Sequence, residues 1–354
     1  MNASVLVTAA GSIVAQGIIK SLNLASRAGK IRYNIISADI SPMAAGLYRT
    51  DSGILVPPPA EPDYLDAITA ACQKFGIHAI FCGSDDELLI LAGARKRMRE
   101  EACAEVIVGE LAALTIARDK WKTVEFCNSN KLPCPPSSLP DQSEEFVREY
   151  GFPLVVKPRE GYGSLHMYVV EDIGELEHAI SAIVKAGWHP MLQKYIFGNQ
   201  EFTSGVTVDR NAKYVMSSIS MRKVIKNGQT HKAFIDNYQH IRRRAEEVAL
   251  KLGTHGAINV QAMLEHEDAA PQIIEINPRF SATSPMRAVA GVNEPDIIFR
   301  NAVLGEEIKI PVYSRLFCAR YSNEVYVPLE SYERIDSNHL ATICDTKSFV
   351  ADYF

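Results

Sequence analysis

Gln272-Ile-Ile-Glu-Ile-Asn-Pro-Arg-Phe280, preceded on the neighbouring predicted strand by Asn259-Val-Gln261, carries the densest chemical signal in the chain. Glu275 and Asn277 lie two apart on one strand and emerge on one face, and Asn259 and Gln261 can sit opposite them on the adjacent strand. Oxygen ligands converge there. One carboxylate with side-chain carbonyls is the composition expected for magnesium held together with nucleotide phosphates, because this hard ion keeps waters and needs only one or two protein carboxylates. Arg279, two residues on, faces the same way and suits a transferring phosphoryl group or a bidentate hold on a carboxylate. The competing reading is a polar strand end in water. Burying so many polar groups without partners would cost several kcal/mol.

Upstream, Pro153-Leu-Val-Val-Lys-Pro-Arg-Glu-Gly-Tyr-Gly-Ser164 places Lys157 in an otherwise apolar strand, where it must find an anion or reach water. The loop that follows has Gly161 and Gly163 and ends at Ser164. Glycines let backbone amides approach phosphate oxygens, so the segment reads as a lid over a triphosphate, although ordinary hairpin turns look similar. It lacks the Walker spacing, which needs Lys-Ser/Thr directly after the second glycine. Next, Leu192-Gln-Lys-Tyr-Ile-Phe-Gly-Asn-Gln-Glu-Phe202 suits a hinge between lobes. There the Gln193, Lys194 and Ile196 stretch can hold a flat heterocycle, and Glu201 can bind ribose hydroxyls.

Around these segments the chain begins with alternating strands and helices. Ser4 to Thr8 reads as a buried strand, then a turn through Gly11 and a helix Val14 to Leu24; strands Tyr33 to Asp39, Gly53 to Val56, His78 to Cys82 and Glu105 to Val108 follow. Gly83-Ser-Asp-Asp-Glu87 is expected to cap a helix with carboxylates in its first turn. This alternation predicts a parallel sheet covered on both faces. A long helix, Arg118 to Asn130, ends at Leu132-Pro-Cys-Pro-Pro136, a boundary signal. A βαβ-rich block follows, and from Gln200 the pattern turns antiparallel. The expected organisation is residues 1–115 as a first α/β domain, 116–310 as a second domain with a lobe at about 132–196, and 311–354 as an extension without an interpretable motif.

A net charge of -5 supplies no global basic field for nucleic acid or an anionic membrane surface, which directs attention to small-molecule partners. Seven scattered cysteines with no CxxC pair indicate neither a zinc site nor a disulfide framework. No stretch reaches membrane-spanning length, and a cytoplasmic location is expected.

The three segments, in this order, resemble the ATP-grasp superfamily, and closely the synthetase unit of the carbamoyl phosphate synthetase large chain, over roughly residues 1 to 305. The resemblance implies α/β and α+β architecture: a pre-ATP-grasp doubly wound parallel sheet followed by a two-lobed ATP-grasp fold. It implies ATP with Mg2+, or Mn2+ in its place, and ADP-forming ligation of a carboxylate to an amine through an acyl phosphate. By the same similarity Lys120 contacts phosphates from the linker helix, Lys157 the α-phosphate and Glu201 the ribose. Gln261, Glu275 and Asn277 ligate the metal, and Arg279 faces the phosphoryl group. Lys194 stands where the family often has glutamate, and only one synthetase unit is present, so carbamoyl phosphate is not the expected product. Arg222, in Ser220-Met-Arg-Lys223, is the expected substrate or γ-phosphate contact, with His231 a weaker choice. Ser281 and Arg287 are expected to read the carboxylate substrate. A homodimer is a reasonable expectation. The rivals are a nucleotide-cofactor oxidoreductase or epimerase, suggested by Gly11 and Asp39, and a non-catalytic ATP-binding protein.

Overall fold

The computed structural model describes residues 1–29, 31–161, 165–198, 200–226, 228–335 and 342–352. Strands β1 (Asn2–Val7), β2 (Arg32–Asp39), β3 (Ser52–Leu55), β4 (Ala79–Phe81) and β5 (Glu105–Ile107) form a parallel sheet in the order β3-β2-β1-β4-β5. Helix Ile13–Ala28 buries Ile18, Ile19 and Leu22 on one side, and helix Tyr64–Phe75 buries Ile68 and Ala71 on the other. Both sheet faces are therefore covered, which explains strands that are apolar throughout rather than alternating. Ser12 starts the first helix as its side chain accepts from the Ala15 amide, and Gly29 ends it in the left-handed region at φ 94°.

The helix expected over 118–130 is Lys120–Ser129, capped by Asp119 through the Trp121 and Lys122 amides, and a further short helix, Leu111–Ala117, precedes it. A small sheet then gathers β6 (Ser137–Ser138), β7 (Leu154–Pro158), β8 (Tyr168–Val170) and β9 (Pro190–Lys194) in the order β6-β9-β7-β8. Strands β8 and β9 both run antiparallel to β7, so they are parallel to each other with β7 inserted between them, a split βαβ unit around helix Ile173–Lys185. Phe146, Leu154, Val156, Leu176 and Ile183 form its own core.

The third sheet is antiparallel: β10 (Gln200–Val208), β11 (Val215–Lys226), β12 (Gln229–Ile235), β13 (Gly256–Leu264), β14 (Gln272–Asn277) and β15 (Leu316–Ala319), in the order β14-β13-β10-β11-β12-β15. One face buries Val206, Val260 and Ile276 against helix Gln239–Lys251. On the other face Ile219, Met221 and Ile235 join Ile18, Leu22 and Phe81 of the amino-terminal unit in one core. The carboxy-terminal stretch returns to both parts of the molecule. After β15 extends the antiparallel sheet, β16 (Thr342–Ile343) pairs antiparallel with β3 at the edge of the first sheet. No helix among the described residues is long and apolar enough to cross a membrane.

Candidate functional site

Strand register decides which side chains meet. Glu201 lies opposite Lys223 on one side and Met263 on the other; Thr203 pairs Gln261; Gln261 pairs Glu275, and Asn259 pairs Asn277. Glu201, Lys223, Gln261, Asn259, Glu275 and Asn277 therefore occupy one face, at the end of the sheet nearest the small lobe. Gln261 Nε2 donates to Glu275 Oε2, and Lys223 Nζ donates to Gln261 Oε1 and pairs with Glu201 Oε1 at 2.5 Å.

From the small lobe, Lys157 on β7 is buried and donates to Gln193 Oε1 at 2.7 Å, while Gln193 Nε2 donates to Ser137 Oγ at 2.9 Å. Burial, reinforced by the Lys120 charge, brings the Lys157 ammonium down to about 8, with Glu275 opposing. Burial also lowers Lys120, against the pull of Glu275, Glu160 and Asp119. Lys120 thus sits in the same electrostatic neighbourhood, its Nζ donating to the Gly161 carbonyl at 3.0 Å. The linker helix is tied to the small lobe by Lys120 N to Arg159 O at 2.8 Å and by the Asp119–Arg159 pair at 2.5 Å.

Arg279 reaches across to the amino-terminal unit. Its Nε donates to Asp85 Oδ1 at 2.5 Å and its Nη2 to Asp85 Oδ2 at 3.1 Å and to Asn277 Oδ1 at 3.2 Å. Against the effect of its burial, the Asp85 carboxylate holds Arg279 above the ordinary arginine range. Asp85 and Glu87 therefore do not cap the helix Leu88–Gly93, as their spacing suggested. Glu87 is buried and accepts from Thr8 Oγ1 at 2.7 Å and Tyr64 Oη at 2.6 Å, while Asp85 orients the arginine.

The remaining expected residues fall in several places. Ile196 is buried in the hinge, Lys194 Nζ lies 5.9 Å from the Tyr150 ring centroid, and Gly161 has φ 92°. Gly163 and Ser164 lie outside the described residues. Ser281 is buried and bonded to Thr283 Oγ1 at 2.9 Å.

Three expectations need correction. Arg222 is in register with Phe202 and Phe234, on the opposite face from Glu275, and its guanidinium stacks 4.4 Å from the Phe234 centroid. One step along the strand, Lys223 is the cation that reaches the site. Sequence reasoning missed it, although the pairing of β10 with β11 distinguishes the two. Arg287, expected at the substrate, is 1% exposed and pairs with Glu294 at 2.9 Å. A Cβ on Gly205 would stand 1.7 Å from Glu294 Oε1, so only glycine leaves room for that pair. Asn259 was grouped with the oxygen ligands, but its Oδ1 accepts from Arg287 Nη2 at 2.6 Å and Thr203 Oγ1 at 2.8 Å, which turns its oxygen away from a metal.

The donor set that remains is one carboxylate, Glu275, with Gln261 and Asn277, whose amide oxygens accept from Lys223 Nζ and Arg279 Nη2 and would exchange those cations for a metal; buried Lys157 and half-buried Lys120 both feel the Glu275 charge. The set fits magnesium shared with a triphosphate, since the phosphates and waters complete the shell. At Gly11, where a dinucleotide fingerprint was weighed, the backbone amide donates to Asp39 Oδ2 at 2.7 Å and Ser41 N to Asp39 Oδ1 at 2.9 Å. Both oxygens of the carboxylate that would meet a ribose are engaged by the backbone.

A family profile described as an ATP-grasp domain matches residues 117–283, and one described as a PylC-like N-terminal domain matches residues 5–107. The carbamoyl phosphate synthase large chain of Helicobacter pylori is 26% identical over 246 residues, covering 64% of this chain and 22% of that protein. The carbamoyl-phosphate synthase of Methanobrevibacter smithii is 25% identical over 224 residues, covering 60% of this chain and 59% of its own length. The chain thus spans about a fifth of the first relative and under two thirds of the second. Among solved structures, N5-carboxyaminoimidazole synthetase from Staphylococcus aureus, complexed with ADP, superposes with TM-score 0.69 at 13% identity over 99% of this chain and 93% of that one. Biotin carboxylase from Campylobacter jejuni gives 0.67 at 17% identity over 86% and 71%. These likenesses establish the fold, and the two profile matches show residues 117–283 to be similar to an ATP-grasp domain and residues 5–107 to a PylC-like N-terminal domain.

Proposed function

We propose that the chain is an ATP- and magnesium-dependent carboxylate–amine ligase that activates its acid as an acyl phosphate and releases ADP and phosphate. The observation that carries this reading is the convergence, on one sheet face, of Glu275, Gln261 and Asn277 with Lys157 and Lys120 opposite. The named relatives and neighbours, carbamoyl phosphate synthase, biotin carboxylase and N5-carboxyaminoimidazole synthetase, support it by kinship.

A carboxylate oxygen is a poor leaving group, and transfer of the γ-phosphoryl group produces a mixed anhydride that an amine can displace. Magnesium bound with the triphosphate neutralises charge on the phosphoryl oxygens. Glu275, Gln261 and Asn277 hold that ion's protein side. Lys157 and Lys120, fixed by Gln193 and by lobe carbonyls, aim positive charge at the phosphate chain before it arrives, so little reorganisation accompanies the reaction. Glu201 holds the ribose and thereby places the nucleotide, with Lys223 as its internal partner. Arg279, oriented by Asp85, stabilises the transferring group. No nucleophilic side chain is required.

A panel of amino acids and small carboxylates, each paired with amines and Mg-ATP, tests the reading. Phosphate and ADP should be released only with the correct acid, and mass spectrometry should find the new amide. Release of AMP and pyrophosphate would contradict it, and Mg-ATP uptake without any turnover across the panel would favour a non-catalytic ATP-binding protein.

A further inference from the structure

The carboxy-terminal segment reaches the site face from the far edge of the sheet. Cys318 on β15 lies opposite Ala233 on β12, and Ala233 lies opposite Lys223. Arg320 is two residues beyond Cys318, and its amide donates to His231 O at 2.9 Å, continuing the ladder, so Arg320 emerges on the face that carries Lys223 and Glu275. Its guanidinium donates to the carbonyl of Ala282, in the loop directly after Arg279 and Phe280. The same loop is braced by helix Ile13–Ala28: a Cβ on Gly17 would lie 3.4 Å from Ser281 O and 3.7 Å from Ala282 Cα. One helical turn beyond Gly17 stands Lys20, exposed, and Arg49, also exposed, follows the short helix Ala45–Tyr48 that packs on the same helix.

These three cations come from three separate segments. Lys20 is held below the ordinary lysine range by partial burial and then by the charges of Arg320 and Arg49, and burial also lowers Arg320. No carboxylate among the described residues offsets either of them. The contrast with other arginines is direct: Arg279 has Asp85, Arg287 has Glu294, Arg159 has Asp119 and Arg300 has Glu306. Like charges gathered without a counter-ion raise the free energy of the empty arrangement, and a bound oxyanion relieves it.

We propose that Arg320, Lys20 and Arg49 form a receptor for an oxyanion, a carboxylate or a phosphate group, carried by the acid substrate at the end remote from the group being activated. The substrate class is thus a dianionic acid, and the assignment rests on the ligase reading for the identity of the reacting end. It also gives the segment after residue 311 a role, since that segment supplies Arg320.

Calorimetric titration of the full chain, saturated with a non-hydrolysable Mg-ATP analogue, tests this with glutarate and inorganic phosphate as probes and valerate as the mono-anionic control. Glutarate or phosphate should bind, valerate should not, and Lys20→Gln and Arg49→Gln should each weaken the probe by about tenfold or more while nucleotide affinity stays within about twofold. Tighter glutarate identifies a dicarboxylate, tighter phosphate a phosphorylated acid. Neither probe binding better than valerate, or unchanged affinity in both exposed-site variants, overturns the receptor. Failure of nucleotide uptake would instead strike the ligase reading, and titrating the probes alone then still decides the receptor.

Discussion

Arg222 and Lys223 are adjacent in sequence and lie on opposite faces of β11, and the two faces have different chemistry. On the Lys223 side, polar groups are bonded to one another: Lys223 to Glu201 and Gln261, Gln261 to Glu275. On the Arg222 side, the cation covers the aromatic ring of Phe234 while Phe202 and Ile241 close a small core beside it. The first arrangement is preorganised for ligand oxygens and the second is packing with a charged rim. Pairing register alone separates them, because a strand exchanges faces with every residue.

The largest effect is expected at Glu275, on β14. Glu275→Ala should lower kcat by about 10²–10³-fold with the fold intact, measured as ADP release under saturating acid and amine. Retained turnover would break the division of the sheet into a chemical face and a packing face.

How much of this was legible beforehand follows from the kind of signal each feature leaves. That Glu275 and Asn277 share one face of a strand was legible because they obey the two-residue period within one segment, so no partner strand had to be known. The parallel sheet was legible from apolar strands alternating with helices. The choice between Arg222 and Lys223 was not, since it depends on which residue of β10 each one faces. Asp85 and Glu87 read as helix-capping acids because their spacing is right for that role; their partners Arg279, Thr8 and Tyr64 are remote in sequence. Arg287 looked like a substrate arginine for the same reason, its counter-ion Glu294 being hidden by the turn between two helices. The short helix Leu111–Ala117 was not legible because seven residues carry too little periodicity to stand out, whereas the helix after Asp119 was.

Arg287 marks the limit of the chemical face. Arg287→Met should destabilise the fold by about 3–5 kcal/mol, because Glu294 would be left charged and buried, and adding Glu294→Gln should recover much of that loss. Denaturant unfolding of the single and double variants measures it. A soluble, fully stable Arg287→Met with raised KM for the acid alone would return Arg287 to the substrate and erase the correction made above.

Lys223→Met should weaken Mg-ATP handling by about tenfold to a hundredfold, since it leaves Glu201 unpaired and frees Gln261 to rotate. The readout is kcat/KM for ATP. Equal effects from Lys223→Met and Arg222→Met would show that the faces do not differ in function.

Lys157 gives the comparison a pH dependence. Its ammonium is depressed to about 8 from 10.5, so the fold disfavours the charged form below about 8, and this penalty disappears as pH rises from 8 towards 10.5. Mg-ATP favours the charged form. Its affinity should therefore be level below pH 8 and fall by up to about tenfold per unit above it, with proton uptake on binding, measurable as a buffer-dependent enthalpy. A profile flat to pH 10 would remove Lys157 from the phosphate site. The smallest change is expected on the packing face, where Arg222→Ala should cost about 0.5–1 kcal/mol of stability through the lost ring contact and leave activity within about twofold.

Mg-ATP titrated calorimetrically into the wild-type chain and into Glu275→Ala at pH 7 addresses the shared cavity itself. Saturable one-site uptake by the wild type, lost when magnesium is chelated and much weakened in the variant, is the expected result. No uptake by the wild type, or equal affinity in the two proteins, would contradict the account.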